Sequence, residues 1–256
     1  MTSQRISELL AGITNEERNI FYQSWCSVRS EEEYLALDIT SASSYSRLID
    51  SVEWGYNWDG ENLPQINICL LMGQQSRYPI YQSVYGGSLK DVTTLETTVG
   101  MFRALAGEKP IIVVMDKGFF SKKNINMMLG EKKHIDFIIA VPFTCKFAKD
   151  LVKSERKAID TLSNTIVAGK ESLRASTKIL TWNNEHKVYT HVYFNARKAQ
   201  GIREDLYMHV ATLRDQANEQ PEKCMGKPDY EKYLIIDPPS EKTGKGYKLK
   251  NSLLLW

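Results

Sequence analysis

The sequence predicts an α/β fold in which a mixed sheet carries helices, and three observations lead there. Short apolar runs of strand length alternate with segments of helical period. The runs Tyr34–Thr40 and Ile111–Met115 are apolar almost throughout, the pattern of strands buried on both faces. Glycine or proline stands at most boundaries, as at Gly86-Gly87, Gly107, Pro110, Gly130 and Pro142.

In chain order, residues 3–29 read as two helices. Ile6, Leu9, Leu10 and Ile13 recur at helical spacing in the first, and Thr14-Asn15-Glu16-Glu17 caps a second that carries Ile20, Phe21, Trp25 and Val28. The first strand, Tyr34–Thr40, holds one charge, Asp38, near its carboxyl end. A serine cluster and an aromatic, glycine-containing loop (Trp54–Gly60) follow. Residues 65–72 and 78–85 make the second and third strands, joined by a turn of hairpin length. A helix starting at Ser88 or Asp91 presents Leu95, Val99, Phe102 and Leu105 and closes at Gly107. The fourth strand, Ile111–Met115, ends on Asp116. Lys117-Gly118 turns the chain, Ser121 caps a short helix to Leu129, and Ile135–Val141 is the fifth strand. This order is β-β-β-α-β-α-β. Beyond about residue 150 the pattern predicts a helix over 149–162, a strand pair within 178–195, a charged helix over 198–220 and a hairpin within 233–255.

Composition narrows the function. Apolar residues are 42% and charged residues 25% of the 256, which excludes a disordered tail, a collagen-like chain and a disulfide mini-protein. No apolar run reaches the length of a membrane span, and residues 1–13 lack a signal-peptide core. Cys26, Cys69, Cys145 and Cys224 lie tens of residues apart, so they predict reduced, intracellular thiols and a cytoplasmic protein. The net charge of +2 is unevenly spread: eight acidic and two basic residues from Arg29 to Glu61, against ten basic and four acidic from Lys117 to Lys157. That division suits a cation-holding surface beside a phosphate-holding one, although charge alone favours solvated helix faces.

Two acids share one setting. Asp38 and Asp116 each follow an apolar strand run at its carboxyl end, where open α/β sheets place their sites. Were those strands neighbours, the two carboxylates would converge, and like charges that close call for a divalent cation between them. With no His or Cys cluster nearby the donor chemistry specifies a hard ion, Mg²⁺ or Mn²⁺. Either acid also fits a helix cap or loop anchor. Asp91 is a third acid, fitted to a metal shell or to capping a helix that begins at Val92. Tyr56 and Trp58 suit base stacking or packing over a sheet edge. Lys117, Lys122 and Lys123 suit a phosphodiester backbone or plain solvation. His134, His186, His191 and His209 are scattered and are assigned no metal.

Several linked segments carry a resemblance. They are Tyr34-Leu35-Ala36-Leu37-Asp38-Ile39-Thr40-Ser41, Gly55-Tyr56-Asn57-Trp58-Asp59-Gly60 with Pro64-Gln65-Ile66-Asn67, and Tyr85-Gly86-Gly87-Ser88-Leu89-Lys90-Asp91-Val92. Val114-Met115-Asp116-Lys117-Gly118-Phe119-Phe120-Ser121-Lys122-Lys123-Asn124 and Phe137-Ile138-Ile139-Ala140-Val141-Pro142-Phe143 complete the set. In this order, over about residues 15–220, they resemble the DDE transposases of bacterial and archaeal insertion sequences. The group is the one whose ribonuclease-H-like catalytic domain is interrupted by an insertion. The resemblance implies adjacent first and fourth strands, Asp38 and Asp116 as catalytic, metal-holding aspartates, Asp91 as a supporting acid and Mg²⁺ or Mn²⁺ as cofactor. It implies insertion-sequence ends and target DNA as partners, with a homodimer on DNA. It divides the chain into an N-terminal helical segment (1–30), a partial catalytic core (31–145) and an insertion region, mostly β with helices (146–256). The family's third acid is a glutamate on a helix after the insertion. Residues 221–256 offer none in that pattern, so the expectation is a truncated or partial copy, with a catalytically inactive DNA-binding remnant as the alternative. An aspartate-nucleophile phosphatase ranks low, because Thr40 stands where that chemistry wants a second Asp.

Overall fold

A computed structural model describes residues 2–29, 34–55, 63–107, 110–130, 135–239 and 246–251, apart from the side chains of Asp91, Ala106 and Asn251. They fall into two compact units, Met1–Asp150 and Leu151–Trp256.

The first unit opens with α1 (Ser3–Gly12) and α2 (Asn15–Arg29). Thr14 and Glu17 cap α2 reciprocally: the Glu17 N–H donates to Thr14 Oγ1 at 3.2 Å and the Thr14 N–H to Glu17 Oε2 at 2.8 Å. The apolar face expected on α1 is not buried: Leu9 and Leu10 are 60% and 61% exposed. In α2 the buried residue is Cys26, and the Trp25 indole N–H donates to the Pro79 carbonyl at 2.8 Å. A helix of ten residues without a packed face draws its stability from capping alone, which is marginal.

The sheet comprises β1 (Tyr34–Ser43), β2 (Gln65–Gly73), β3 (Pro79–Gly86), β4 (Ile111–Met115) and β5 (Ile135–Ile139), in the order β3-β2-β1-β4-β5. The first three strands pair antiparallel; β4 pairs parallel with both β1 and β5. Between strands lie α3 (Asp91–Ala106) and α4 (Lys122–Leu129), and α5 (Lys146–Glu155) follows β5. The expected β-β-β-α-β-α-β order and the adjacency of the first and fourth strands are both present. Alternation along the strands gives the sheet two unlike faces. Leu35, Leu37, Cys69, Leu71, Val113 and Met115 are buried, together with Leu95, Val99 and Phe102 of α3 and Ile125 and Met128 of α4. Ala36, Ile66, Ile68, Leu70, Ile112 and Val114 on the other face are only half-buried. Burial on both faces, expected for β1 and β4, is therefore complete on one.

The second unit holds β6 (Thr165–Ala168), β7 (Glu171–Trp182) and β8 (His186–Phe194), an antiparallel sheet in the order β6-β7-β8. Next come α6 (Ala196–Glu219), α7 (Pro221–Cys224) and α8 (Pro228–Glu231), then the antiparallel pair β9 (Leu234–Asp237) and β10 (Lys248–Asn251). Asn195 caps α6, its Oδ1 accepting from the Lys198 N–H at 2.9 Å. Leu213, Ala217, Cys224 and Leu234 form a small core lined by Val210, Tyr230 and Ile236. Strand β6 was not anticipated. It is four residues long and depends on Gly169 (φ +62°) to turn back into β7. The helix expected over 149–162 ends at Glu155. There the carboxylate accepts from Ser176 Oγ at 2.6 Å and meets Lys178 Nζ at 3.3 Å, and the Ser176 bond foremost holds its pKa below the usual range. After it the backbone tightens into a turn, the Ala158 N–H donating to the Glu155 carbonyl at 2.9 Å.

The core assignment is tested by urea unfolding. Phe102→Ala, at a site 1% exposed, is expected to cost about 3–5 kcal/mol. Leu9→Ala on exposed α1 is expected to change stability by no more than about 0.5 kcal/mol.

Candidate active site

The site grows from one register. Leu37 and Met115 are partners across the parallel β1–β4 pair, so Asp38 and Asp116 are each the next residue on adjacent strands. Alternation turns both away from the face of Leu37 and Met115, on strands about 4.8 Å apart. Both residues are exposed. Each spends one carboxylate oxygen on backbone: Asp38 Oδ1 accepts from the Ile39 N–H at 2.9 Å, and Asp116 Oδ1 from the Gly118 N–H at 2.6 Å. The second bond caps the single 3₁₀ turn Lys117–Phe119. Among the described residues no ion pair engages either carboxylate. Two exposed carboxylates side by side, each oriented by a backbone donor and with oxygens to spare, fit a hard divalent cation. Among the described residues no cluster of three acidic, imidazole or thiol groups forms.

A cleft of about 380 Å³ is lined by Thr40, Ser41, Asn67, Ser88, Lys90 and Gly118, among others; neither Asp38 nor Asp116 lines it, though Ile39 and Gly118 close by in sequence do. Its walls are fixed by buried amides and a carboxylate. Asn67, 6% exposed, donates from Nδ2 to the Leu89 carbonyl at 3.0 Å. Asn124, 2% exposed, donates to the carbonyls of Val92 (2.9 Å) and Phe119 (2.8 Å), tying the start of α3 to the turn after Asp116. Glu53 pairs with Gln65 through two backbone bonds and accepts from both the N–H and the hydroxyl of Ser88. A Cβ at Gly87 would run into the carbonyl oxygens of Gln65 and Glu53, so the approach of the two loops requires glycine. The Ser88 hydroxyl foremost, then its N–H, holds the Glu53 carboxyl below its usual pKa.

The other sequence-derived residues fare differently. Asp91 is the first residue of α3, one of the two starts expected for that helix, and the N-cap position falls on Lys90, so the alternative of a helix beginning at Val92 is not realised. Extended backbone at Lys90 (φ −83°, ψ 142°) precedes the first helical residue. Lys117 is exposed in the 3₁₀ turn and Lys122 on the first turn of α4. Lys123 is paired with Glu96 at 3.1 Å, an exposed ion pair of little energetic weight. Tyr56 and Trp58 lie outside the described residues. Glu53, Asn67 and Asn124 carried no assigned role: Asn67 and Asn124 stood inside quoted segments, while Glu53 had no local signal.

Residues 29–217 match the family model described as the transposase DDE domain. Among solved structures a similar chain is a piggyBac transposase in a synaptic complex with hairpin DNA, seen by cryo-EM. It shares 14% identity at a TM-score of 0.40, over 85% of this chain and 48% of that one. The chain thus spans about half the length of that neighbour. No curated protein matches the sequence.

The Glu53 anchor makes a pH prediction. A carboxyl whose folded pKa is depressed contributes stability above its unfolded pKa and loses it as pH falls through the folded value. Glu53→Gln is therefore expected to lower the thermal midpoint at neutral pH. The gap from the parent should close as pH drops well below 4.5, the carboxyl's ordinary value. A gap that persists unchanged at low pH would show that the carboxylate is not the anchor.

Proposed function

Because this chain belongs to the transposase DDE domain family, we propose that it works in DNA transposition, cutting a DNA strand and joining the freed end to a second DNA. In the first displacement water breaks a phosphodiester and leaves a 3′-hydroxyl; in the second that hydroxyl attacks a target phosphate and expels a strand end. Asp38 and Asp116 are the residues proposed to hold Mg²⁺ or Mn²⁺, with Asp91 as a supporting acid. A cation held there supplies Lewis-acid polarisation of phosphate oxygens and a more acidic bound water. The single observation that supports this most is the step beyond the Leu37–Met115 pair, which sets two oriented carboxylates on neighbouring parallel strands.

The protein's own contribution is positional. The Gly118 N–H orients Asp116, and Asn124 ties its turn to α3, so the carboxylate cannot swing with a loose loop. Lys117 and Lys122, both exposed, are proposed to receive backbone phosphates. The partner is DNA bearing insertion-sequence ends, engaged by two copies of the chain.

The test is nicking of a labelled terminal-repeat duplex. Asp38→Asn and Asp116→Asn are each expected to lower Mg²⁺- or Mn²⁺-dependent nicking by roughly 100-fold or more, and chelation is expected to abolish it. Lys117→Ala is expected to weaken DNA binding for every sequence and to reduce the salt slope by about 1. Duplex binding without any cleavage, equal in the parent and both Asn variants, would favour a non-catalytic DNA-binding role instead.

A further inference from the structure

The sheet of the second unit has one packed face and one open face. On the packed face Val192 is buried, and Ser176 and Lys178 are engaged by Glu155. The open face presents alternate residues of β8, namely Lys187, Tyr189, His191 and Tyr193, opposite Thr181, Ile179, Thr177 and Ala175 of β7. Tyr189 is 67% and Tyr193 60% exposed. His191 sits between them, its Nδ1 2.9 Å from Thr177 Oγ1 and its ring centroid 6.3 Å from that of Tyr193.

Three rings at successive alternate positions of one strand repeat every 6.8 Å or so. That is comparable with the step between consecutive nucleotides in an extended single strand, and each ring offers a π-face to one base. Charge points to the same occupant. Residues 151–256 carry 18 Lys and Arg against 13 Asp and Glu, a net of +5, whereas residues 1–150 carry a net of −3. The basic excess thus belongs to the unit with the exposed aromatic ladder, as a polyanion with unpaired bases requires.

We propose that the open face of β8 binds single-stranded DNA, stacking unpaired bases on Tyr189, His191 and Tyr193 with Lys187 serving the phosphates. The choice of DNA as ligand rests on the transposition reading; the stacking surface rests on the sheet. These side chains lie outside the packed core, so their truncation leaves the fold intact.

The experiment is fluorescence anisotropy with the full chain, a labelled thymidine oligonucleotide and a duplex of matched length. Tyr189→Ala and Tyr193→Ala are each expected to weaken single-strand affinity roughly tenfold and to change duplex affinity by less than about twofold. The doubly substituted Tyr189→Phe, Tyr193→Phe protein keeps the π-faces and is expected to bind the oligonucleotide like the parent. Parent-like affinity in the alanine variants overturns the proposal. So does a loss in the phenylalanine variant as large as theirs, or loss of self-association, by sedimentation, as the one effect of the alanine substitutions. If no protein nicks DNA yet affinity still follows the tyrosines, the transposition reading fails and this inference stands. Metal-dependent nicking with tyrosine-independent affinity sinks this inference alone.

Discussion

The parallel pairing of β1 with β4 is the constraint on which the rest depends. It buries Leu35, Leu37, Val113 and Met115 on one face, and each such side chain contributes about 1.5–3 kcal/mol. The same register forces two carboxylates side by side on the other face. Two unit charges about 5 Å apart in water repel by about 1 kcal/mol, well below what the four apolar side chains return. The sheet can hold the acid pair because its opposite face is closed.

Holding the pair is distinct from orienting it. Asp116 is oriented by its own turn, since its carboxylate caps Lys117–Phe119. That turn is tied to α3 by Asn124, and the loop before α3 is tied to the segment before β2 by Glu53 and the close pass of Gly87. These links fasten elements far apart in sequence around one cleft. Among the described residues these links leave Asp38 and Asp116 without an ion-pair partner, so they brace the surroundings without neutralising either carboxylate.

The two units differ in net charge. The first, net negative, carries Asp38 and Asp116; the second, net positive, carries an open antiparallel sheet with exposed aromatic rings. Antiparallel sheets commonly leave one face to solvent, and here that face is neither charged throughout nor aliphatic. Among the described residues no helix is long and apolar enough to cross a membrane.

What the sequence alone determined was whatever local pattern encodes. The strand runs, the glycine stops, the Thr14–Glu17 and Ser121 caps and the placement of Asp116 directly after β4 all follow from neighbours within a few residues. So did the α/β order, since period and punctuation are local properties. Asp38, by contrast, expected near a strand end, lies midway along β1, which pairing with β2 carries on to Ser43. Tertiary structure decided the rest. That Asp38 and Asp116 are neighbours depends on a crossover joining β1 to β4 across β2, β3 and α3, which no local pattern carries. Glu53 acquires its partner 35 residues away at Ser88, and Glu155 its partner 21 residues on at Ser176. The apolar stripe of α1 reads in sequence like a core face yet lies exposed, because periodicity states that a face exists and only packing supplies what covers it.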